Sequence, residues 1–355
     1  MGGLLGFVPF SARRTARLAA AVAAVWAGLV AVPPANAAEA YLVAAGDIAS
    51  CVGVADTATA ALVSVSLGTV ATLGDNVYNT GTAAQFRNCY GPTWGRFKDR
   101  TRPSVGNHDY GTPGAAGYFN YFGAAAGPAG RGWYSYDLGD WHVVVLNSNC
   151  ARVACGPGSE QERWLRADLA ASAHRCTLAY WHHSRFSSDA RHGNNAGVGP
   201  FWDALYEYGA DVVLGGHAHV YERFGPQDPA GRADPAFGVR QIVVGTGGRS
   251  HYGFGGVKPN SQVRNADSFG VLQLSLRTDS YEWRFVPQAG RTFTDFGTSA
   301  CHGRPTAPAA PTPPAAPTST TTAPAPAVSS TTTTWPPTWN PPTTTSAAPA
   351  TYDGL

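Results

Sequence analysis

The sequence has no Cys-x-x-Cys pair, no internal repeat and no apolar run of the roughly 20 residues that a membrane-spanning helix needs. The first absence argues against structural zinc as the role of the six cysteines, Cys51, Cys89, Cys150, Cys155, Cys176 and Cys301. The second excludes a repeat array, and the third leaves no stable transmembrane anchor. An excess of charge is lacking too. Of 25 basic residues, Arg13, Arg14 and Arg17 fall within residues 1–37, which hold no acid, so 22 basic residues face 23 acidic ones in the remainder. Bulk charge therefore gives the chain no means of binding nucleic acid or an anionic membrane.

What is present begins with an export signal. The three arginines precede an apolar stretch at 18–32, Pro33-Pro34 ends it, and Ala35-Asn36-Ala37 forms an A-x-A cleavage site. Residues 1–37 read as a cleavable signal that directs the protein to the cell envelope or out of the cell, while Arg13-Arg14 leaves the export route open. An even number of cysteines in an exported chain indicates disulfides. Cys150 and Cys155, close together in a polar loop, are expected to pair; Cys51–Cys89 with Cys176–Cys301 is one of the pairings open to the other four. From Arg304 the composition turns to proline, threonine, alanine and serine, which cannot bury enough apolar surface to fold. Residues 304–355 are expected to form a disordered tail and 38–303 a single folded domain.

Within that domain, strands are expected at 41–45, 69–73, 102–105, 133–138, 141–146, 177–181, 211–214, 241–244, 270–276 and 281–286, and helices at 56–66, 82–87, 159–173 and 201–208. Residues 110–132 read as a glycine- and aromatic-rich excursion. Gly139-Asp140 reads as a hairpin turn and Ser159 with Glu162 as a capping box. Early strand–helix alternation followed by paired strands indicates an α/β sandwich.

The polar residues sort by place. Asp47, Asp75, Asn107, His182 and His217 each follow the carboxyl end of an expected strand, the edge where open α/β sheets bind ligands. Gly215-Gly216 lets the chain turn, and His217-Ala218-His219, if extended, turns both imidazoles to one side. Two aspartates, one asparagine and three histidines mix hard oxygen with borderline nitrogen donors, which suits first-row transition metals over calcium. The number suits two ions sharing one carboxylate, a centre fit for displacement at phosphorus.

Along the chain stand Gly46-Asp47, Gly74-Asp75-Asn76-Val77-Tyr78, Gly106-Asn107-His108-Asp109, Ala179-Tyr180-Trp181-His182 and Gly216-His217-Ala218-His219. With these five blocks, over about residues 41–223, the sequence resembles the calcineurin-like metallophosphoesterases and, within them, the purple acid phosphatases. The resemblance implies a four-layer α-β-β-α sandwich and a role for each residue. Asp75 would bridge two metal ions. Asp47, Tyr78 and His219 would complete the first site, and Asn107, His182 and His217 the second. His108, beside Asn107, would contact the phosphate and assist the leaving group, and Asp109 would orient His108. Ala49 stands where most metallophosphoesterases carry a histidine ligand, and Tyr78 stands where purple acid phosphatases place a tyrosinate. The loss and the gain agree, and a phenolate favours ferric iron, so Fe3+ beside a divalent Fe, Zn or Mn ion is expected.

The departures concern the rim. Ser184 replaces a proline common in relatives, and spacing favours His182 over the adjoining His183 as ligand. Arg191 and His192 lie where relatives carry substrate-binding histidines, which makes Arg191 a candidate phosphate clamp and His192 a candidate proton donor. Arg249 and His251, beyond Gly245-Thr246-Gly247-Gly248, could also reach the site; that glycine run has no Walker pattern. The resulting expectation is an exported phosphatase that hydrolyses small phosphate monoesters by attack of a metal-bound hydroxide. A phosphodiesterase on the same centre and a non-catalytic phosphate- or metal-binding envelope protein are the alternatives. Oligomeric state is not legible.

Overall fold

Runs of β-branched and aromatic residues become strands, because such side chains pack well on a pleated surface. The computed structural model describes residues 39–304 and assembles these strands into two facing sheets. The expected signal at 1–37 and the expected tail beyond Arg304 lie outside the described residues. In chain order the strands are β1 (Ala40–Ala45), β2 (Ala49–Ser50), β3 (Thr69–Leu73), β4 (Val77–Tyr78), β5 (Thr101–Ser104), β6 (Tyr134–Leu138), β7 (Trp141–Val145), β8 (Cys176–His183), β9 (Val212–Gly216), β10 (Tyr221–Phe224), β11 (Arg240–Val244), β12 (Ser261–Asn265), β13 (Gly270–Arg277), β14 (Ser280–Pro287) and β15 (Phe296–Ala300). The α-helices are α1 (Ala55–Val65), α2 (Ala83–Gln85), α3 (Ala116–Phe122), α4 (Glu160–Ala171) and α5 (Gly199–Glu207).

One sheet has the order β15-β14-β13-β1-β3-β5 and the other β12-β10-β11-β9-β8-β7-β6, with β2 and β4 as a separate ribbon. Alternation along each strand divides the apolar residues between two cores. Val143, Val145, Leu178, Tyr180, Val212, Leu214, Ile242 and Val244 join the core shared with the first sheet. Their neighbours Val144, Ala179, Trp181, Val213 and Val243 meet Leu165 and Leu169 of α4 and Phe201, Trp202 and Leu205 of α5. On the first sheet, α1 buries Ala60 and Val63 and packs against β13. The result is the α-β-β-α sandwich. In the first sheet β1, β3 and β5 are parallel, and in the second β7, β8, β9 and β11 are parallel, so each sheet gathers its carboxyl ends on one rim.

Several expectations change here. The excursion at 110–132 contains α3, whose Tyr118 and Phe122 are buried. β10, β12 and β15 were not expected from pattern; β12, mostly polar, and β15, of small and polar residues after Phe296, are edge strands formed by pairing with a neighbour. β8 runs on through His183, so His182 and His183 lie inside the strand, and a register shift against β9 between Tyr180 and His183 re-aims them. Gly215 and Gly216 belong to β9 and do not make the turn; His217 makes it, at φ 70°. The glycines serve close approach. A Cβ on Gly216 would lie 2.8 Å from Asp47 Oδ2, and one on Gly215 2.3 Å from Ser184 Oγ. Ser159 caps α4 by accepting the Glu162 N–H, but the Glu162 carboxylate accepts from Gly158, so the box stays open. The closed capping box is Thr82 with Gln85 on α2.

The disulfides are Cys51–Cys89, Cys150–Cys155 and Cys176–Cys301. The last ties the start of β8 to the residue after β15. By closing a separation of 125 residues it restricts the unfolded chain, an effect worth about 5 kcal/mol in the chain-entropy picture.

Candidate metal centre

The two rims meet, and each brings a different chemistry. From the first sheet and the β2–β4 ribbon beside it come oxygens. Asp47 and Asp75 lie just past β1 and β3 in left-handed backbone, at φ 59° and 47°, an arrangement that turns short side chains inward. Both are buried, as is Tyr78 on β4. The Tyr78 hydroxyl lies 2.8 Å from Asp47 Oδ1, 2.9 Å from Asp75 Oδ2 and 3.1 Å from His219 Nε2. Asp47 Oδ2 accepts the His217 backbone N–H, and Asp75 Oδ1 accepts that of His108, each at 2.8 Å.

From the second sheet come nitrogens. His182 donates its Nδ1–H to the Leu73 carbonyl (2.9 Å) and His219 its Nδ1–H to the Ser250 carbonyl (2.6 Å). Each bond fixes the tautomer and leaves Nε2 bare toward the cluster. His182 Nε2 sits 3.0 Å from Asn107 Oδ1, 3.2 Å from His217 Nδ1 and 3.4 Å from Asp75 Oδ2. His217 and His219 do converge, but through a tight turn at Ala218, whose N–H bonds back to the Gly216 carbonyl, and not through extended backbone.

This donor set fits metal ions. One phenol proton serves three acceptors, and a bare imidazole nitrogen faces an amide oxygen, a second imidazole and a carboxylate. Such a gathering of lone pairs calls for a cation. The charges agree. Burial, and then Asp47 and Asp75, push the Tyr78 phenol well above its ordinary range, so a nearby cation is what would ionise it. Burial would lower His182, but Asp75 outweighs it and raises the imidazole to about 9, so without a metal ion Nε2 takes up a proton, and a bound cation would take that proton's place. Burial would likewise raise Asp75, and His182 holds it below the carboxylate range. Burial and the surrounding imidazoles keep His217 neutral. Tyr78 thus contacts Asp47, Asp75 and His219, and His182 contacts Asn107, His217 and Asp75, so Asp75 is common to both groups of contacts.

The rim residues divide. His108 places its ring 4.4 Å from that of Tyr78 and its Nε2 4.0 Å from Asp75 Oδ2, with Nδ1 bound to the Asn79 carbonyl at 2.5 Å. Asp109 does not orient it. The Asp109 carboxylate accepts from Gly106 N and Asn76 Nδ2, both at 2.9 Å, and from Asn76 N, so it ties the loops after β3 and β5 together. Burial, and then the Asp75 charge, raise Asp109 to about 7. The loop at 189–193 is pinned by Asp189, which accepts the backbone N–H groups of Arg191, His192 and Gly193. It sets His192 against His217, with ring centroids 3.9 Å apart. Arg191 instead lies over Tyr252, which stacks 4.0 Å from His219.

Of the later pair, Arg249 packs over the Tyr78 ring at 4.9 Å and reaches Ser50. His251 stacks on Phe269 and sets its Nδ1 3.3 Å from the His219 carbonyl, so it meets the backbone of a donor and not the donor atoms. Sequence reasoning missed Tyr252, Ser148 and the carbonyls of Leu73, Asn79 and Ser250. Carbonyls carry no residue-type signal, and Tyr252 and Ser148 become neighbours of the site only through folding. Two clefts open onto the centre. One, of about 200 Å³, is lined by His192, His217, Ser184 and Asn194; the other, of about 310 Å³, by Asn107, Tyr110, Ser148, Arg152 and His183.

Comparison with known proteins follows the same line. Residues 37–221 match the family model for calcineurin-like phosphoesterase. Purple acid phosphatase 15 of Arabidopsis thaliana is 28% identical over 223 residues, covering 55% of this chain and 38% of that protein. The chain spans only 26 to 40% of the length of the curated relatives it matches. Among solved structures, purple acid phosphatase PPD1 from yellow lupin (Lupinus luteus) seeds superposes with a TM-score of 0.61 at 17% identity, covering 77% of this chain and 57% of that one. GAP50, described as the anchor in the inner membrane complex of Plasmodium, gives 0.58 at 12% identity over 75% of this chain and 90% of that one. At these identities the superpositions speak for the fold alone.

Proposed function

The chain belongs to the calcineurin-like phosphoesterase family, and from that membership we propose that it is an exported two-metal phosphatase of purple acid phosphatase type acting on small phosphate monoesters. The observation that carries the reading is the convergence of seven donor residues, Asp47, Asp75, Tyr78, Asn107, His182, His217 and His219, with too few protons to satisfy one another. Asp75 would be shared by two ions, with Asp47, Tyr78 and His219 on one and Asn107, His182 and His217 on the other. When bound, the ions supply an activated water and positive charge for in-line displacement at phosphorus. The chain does the rest. Asn79 holds His108 through Nδ1, which turns Nε2 toward the cluster, where it can hold a proton for the departing alkoxide. His192, against His217, borders the smaller cleft as a second donor to the phosphate, and Arg191 supplies positive charge from above Tyr252.

The Tyr78 phenol supports Fe3+ at the first position beside a divalent Fe, Zn or Mn ion, since a phenolate is a hard, anionic ligand. Export is supported by three disulfides, which persist in oxidising compartments. Among the described residues, no helix is long and apolar enough to cross a membrane. The deciding measurement is the visible spectrum of the purified protein beside Tyr78→Phe. A broad tyrosinate-to-iron band, absent from the variant, is expected. A colourless but active wild type would assign both positions to divalent ions. A second reading, phosphodiesterase, draws on the two clefts flanking the centre, which offer room for two ester arms. A panel of mono- and diesters separates them by relative kcat/KM. Since GAP50, with this fold, is described as an anchor, turnover on any ester is also the test against a purely binding role.

A further inference from the structure

The ring of His183 is used by none of these roles. Its backbone N–H donates to Ser148 Oγ at 2.9 Å, and its Nδ1 lies 2.9 Å from the same oxygen. Ser148 is 2% exposed. Among the described residues Nδ1 is the one acceptor paired with this hydroxyl, and an O–H donated to Nδ1 would satisfy both atoms. That direction would leave the His183 proton on Nε2, the reverse of His182 and His219, whose Nδ1 protons go to carbonyls. The ring stands 4.9 Å from that of His182 and 4.3 Å from that of His217. With Asn107 it lines the larger cleft. Nε2 has no partner among the described residues, yet it is not one of the buried orphaned polar atoms, so it meets the open cleft. A His183 ring nitrogen also lies within 4.8 Å of those of His182 and His217, a spacing that could hold an ion, and a proton on Nε2 is what would make His183 a donor to substrate instead of a ligand.

We propose that His183 is a further substrate-contacting residue, whose Nε2–H donates to an anionic oxygen of the ester held beside Asn107. The step is a hydrogen bond, with no proton transferred. The inference rests on the phosphoesterase reading, which supplies the anionic ester. It explains why an imidazole adjoining a ligand imidazole is tied to a serine hydroxyl instead of a carbonyl: a carbonyl can only accept and would enforce the ligand tautomer, whereas a hydroxyl can donate.

The test uses the full-length zinc-loaded protein with 15N-labelled histidine, and inorganic phosphate as the probe. Nitrogen NMR is expected to find His183 as the Nε2–H tautomer; the Nδ1–H tautomer would overturn the proposal. By calorimetry, phosphate affinity should fall at least about tenfold in His183→Leu, the scale of one hydrogen bond to a charged group, with two ions retained per chain. His183→Gln, whose amide can place a donor near the Nε2 position, should recover most of it. Phosphate binding unchanged in both variants, or metal lost from His183→Leu, would also overturn it. If the variants do not fold, the tautomer in the wild type decides. A wild type that takes up metal and hydrolyses esters, yet fails these tests, removes this inference alone. A wild type that binds no metal and hydrolyses no ester removes the reading beneath it, and the inference falls with it.

Discussion

The two rims that meet at the centre aim their side chains by different means. The first sheet delivers Asp47, Asp75 and Asn107, with Tyr78 beside them on the β2–β4 ribbon, and the second delivers His182, His217 and His219. An aspartate is short, so its direction is set by the backbone, and Asp47 and Asp75 both sit in left-handed conformation. That region costs an ordinary L-residue roughly 1–2 kcal/mol. An imidazole is longer and can rotate, so its direction is set by its other nitrogen, and His182 and His219 are each tied to a carbonyl. The oxygen rim is thus sensitive to changes in main-chain approach, and the nitrogen rim to changes in what each ring's second nitrogen meets. His217 belongs to both classes, with φ 70° and its backbone N–H on Asp47.

The comparison can be broken most severely at Asp75, which borders both donor groups. Asp75→Ala should leave fewer than one ion per chain by elemental analysis and reduce turnover to background. Two ions retained would show that the imidazole rim suffices to hold metal. His108→Ala removes an imidazole that packs beside Tyr78 but keeps the backbone N–H that Asp75 accepts. Its kcat should fall about 10²–10⁴-fold with metal content near the wild-type value, and a parallel loss of metal would place His108 among the ligands.

A backbone test of the oxygen rim is Gly106→Ala, because a Cβ there would come 2.0 Å from Asp75 Oδ1. Overpacking of this kind should cost about 1–3 kcal/mol in thermal unfolding and weaken metal retention. An unchanged melting temperature together with full metal content would mean that the rim yields easily. The smallest catalytic effect is expected from Asp109→Ala. It orphans the Gly106 and Asn76 N–H groups, a loss of about 1–3 kcal/mol, while kcat stays within about tenfold of wild type. A fall in kcat equal to that of His108→Ala would restore the orienting role that the family resemblance implied.

The order of the elements was legible because it depends on local pattern. Apolar runs such as Val212-Val213-Leu214 read as strands wherever they lie, and the polar residues after them can be identified by type and spacing. Asp47, Asp75, Asn107, His182 and His217 could be grouped from sequence because parallel strands bring their carboxyl ends to one rim. Edge strands β12 and β15 could not be read, since segments without an apolar alternation become strands only when a neighbour offers its ladder. α3 was hidden among glycines and aromatics whose burial comes from the surrounding core.

What the sequence by itself determined is which donor types reach the rims and in what order, because periodicity and strand ends are properties of neighbours along the chain. Tertiary structure alone decided what each group does there. Asp109 ties two loops instead of bonding to the His108 ring, Arg191 lies over Tyr252, Arg249 covers the Tyr78 ring, and His183 pairs its Nδ1 with Ser148. The physical reason is that a hydrogen bond or a stacked ring selects its partner by distance and direction in space, and the residues concerned are up to 171 positions apart in the chain, as Tyr78 and Arg249 are.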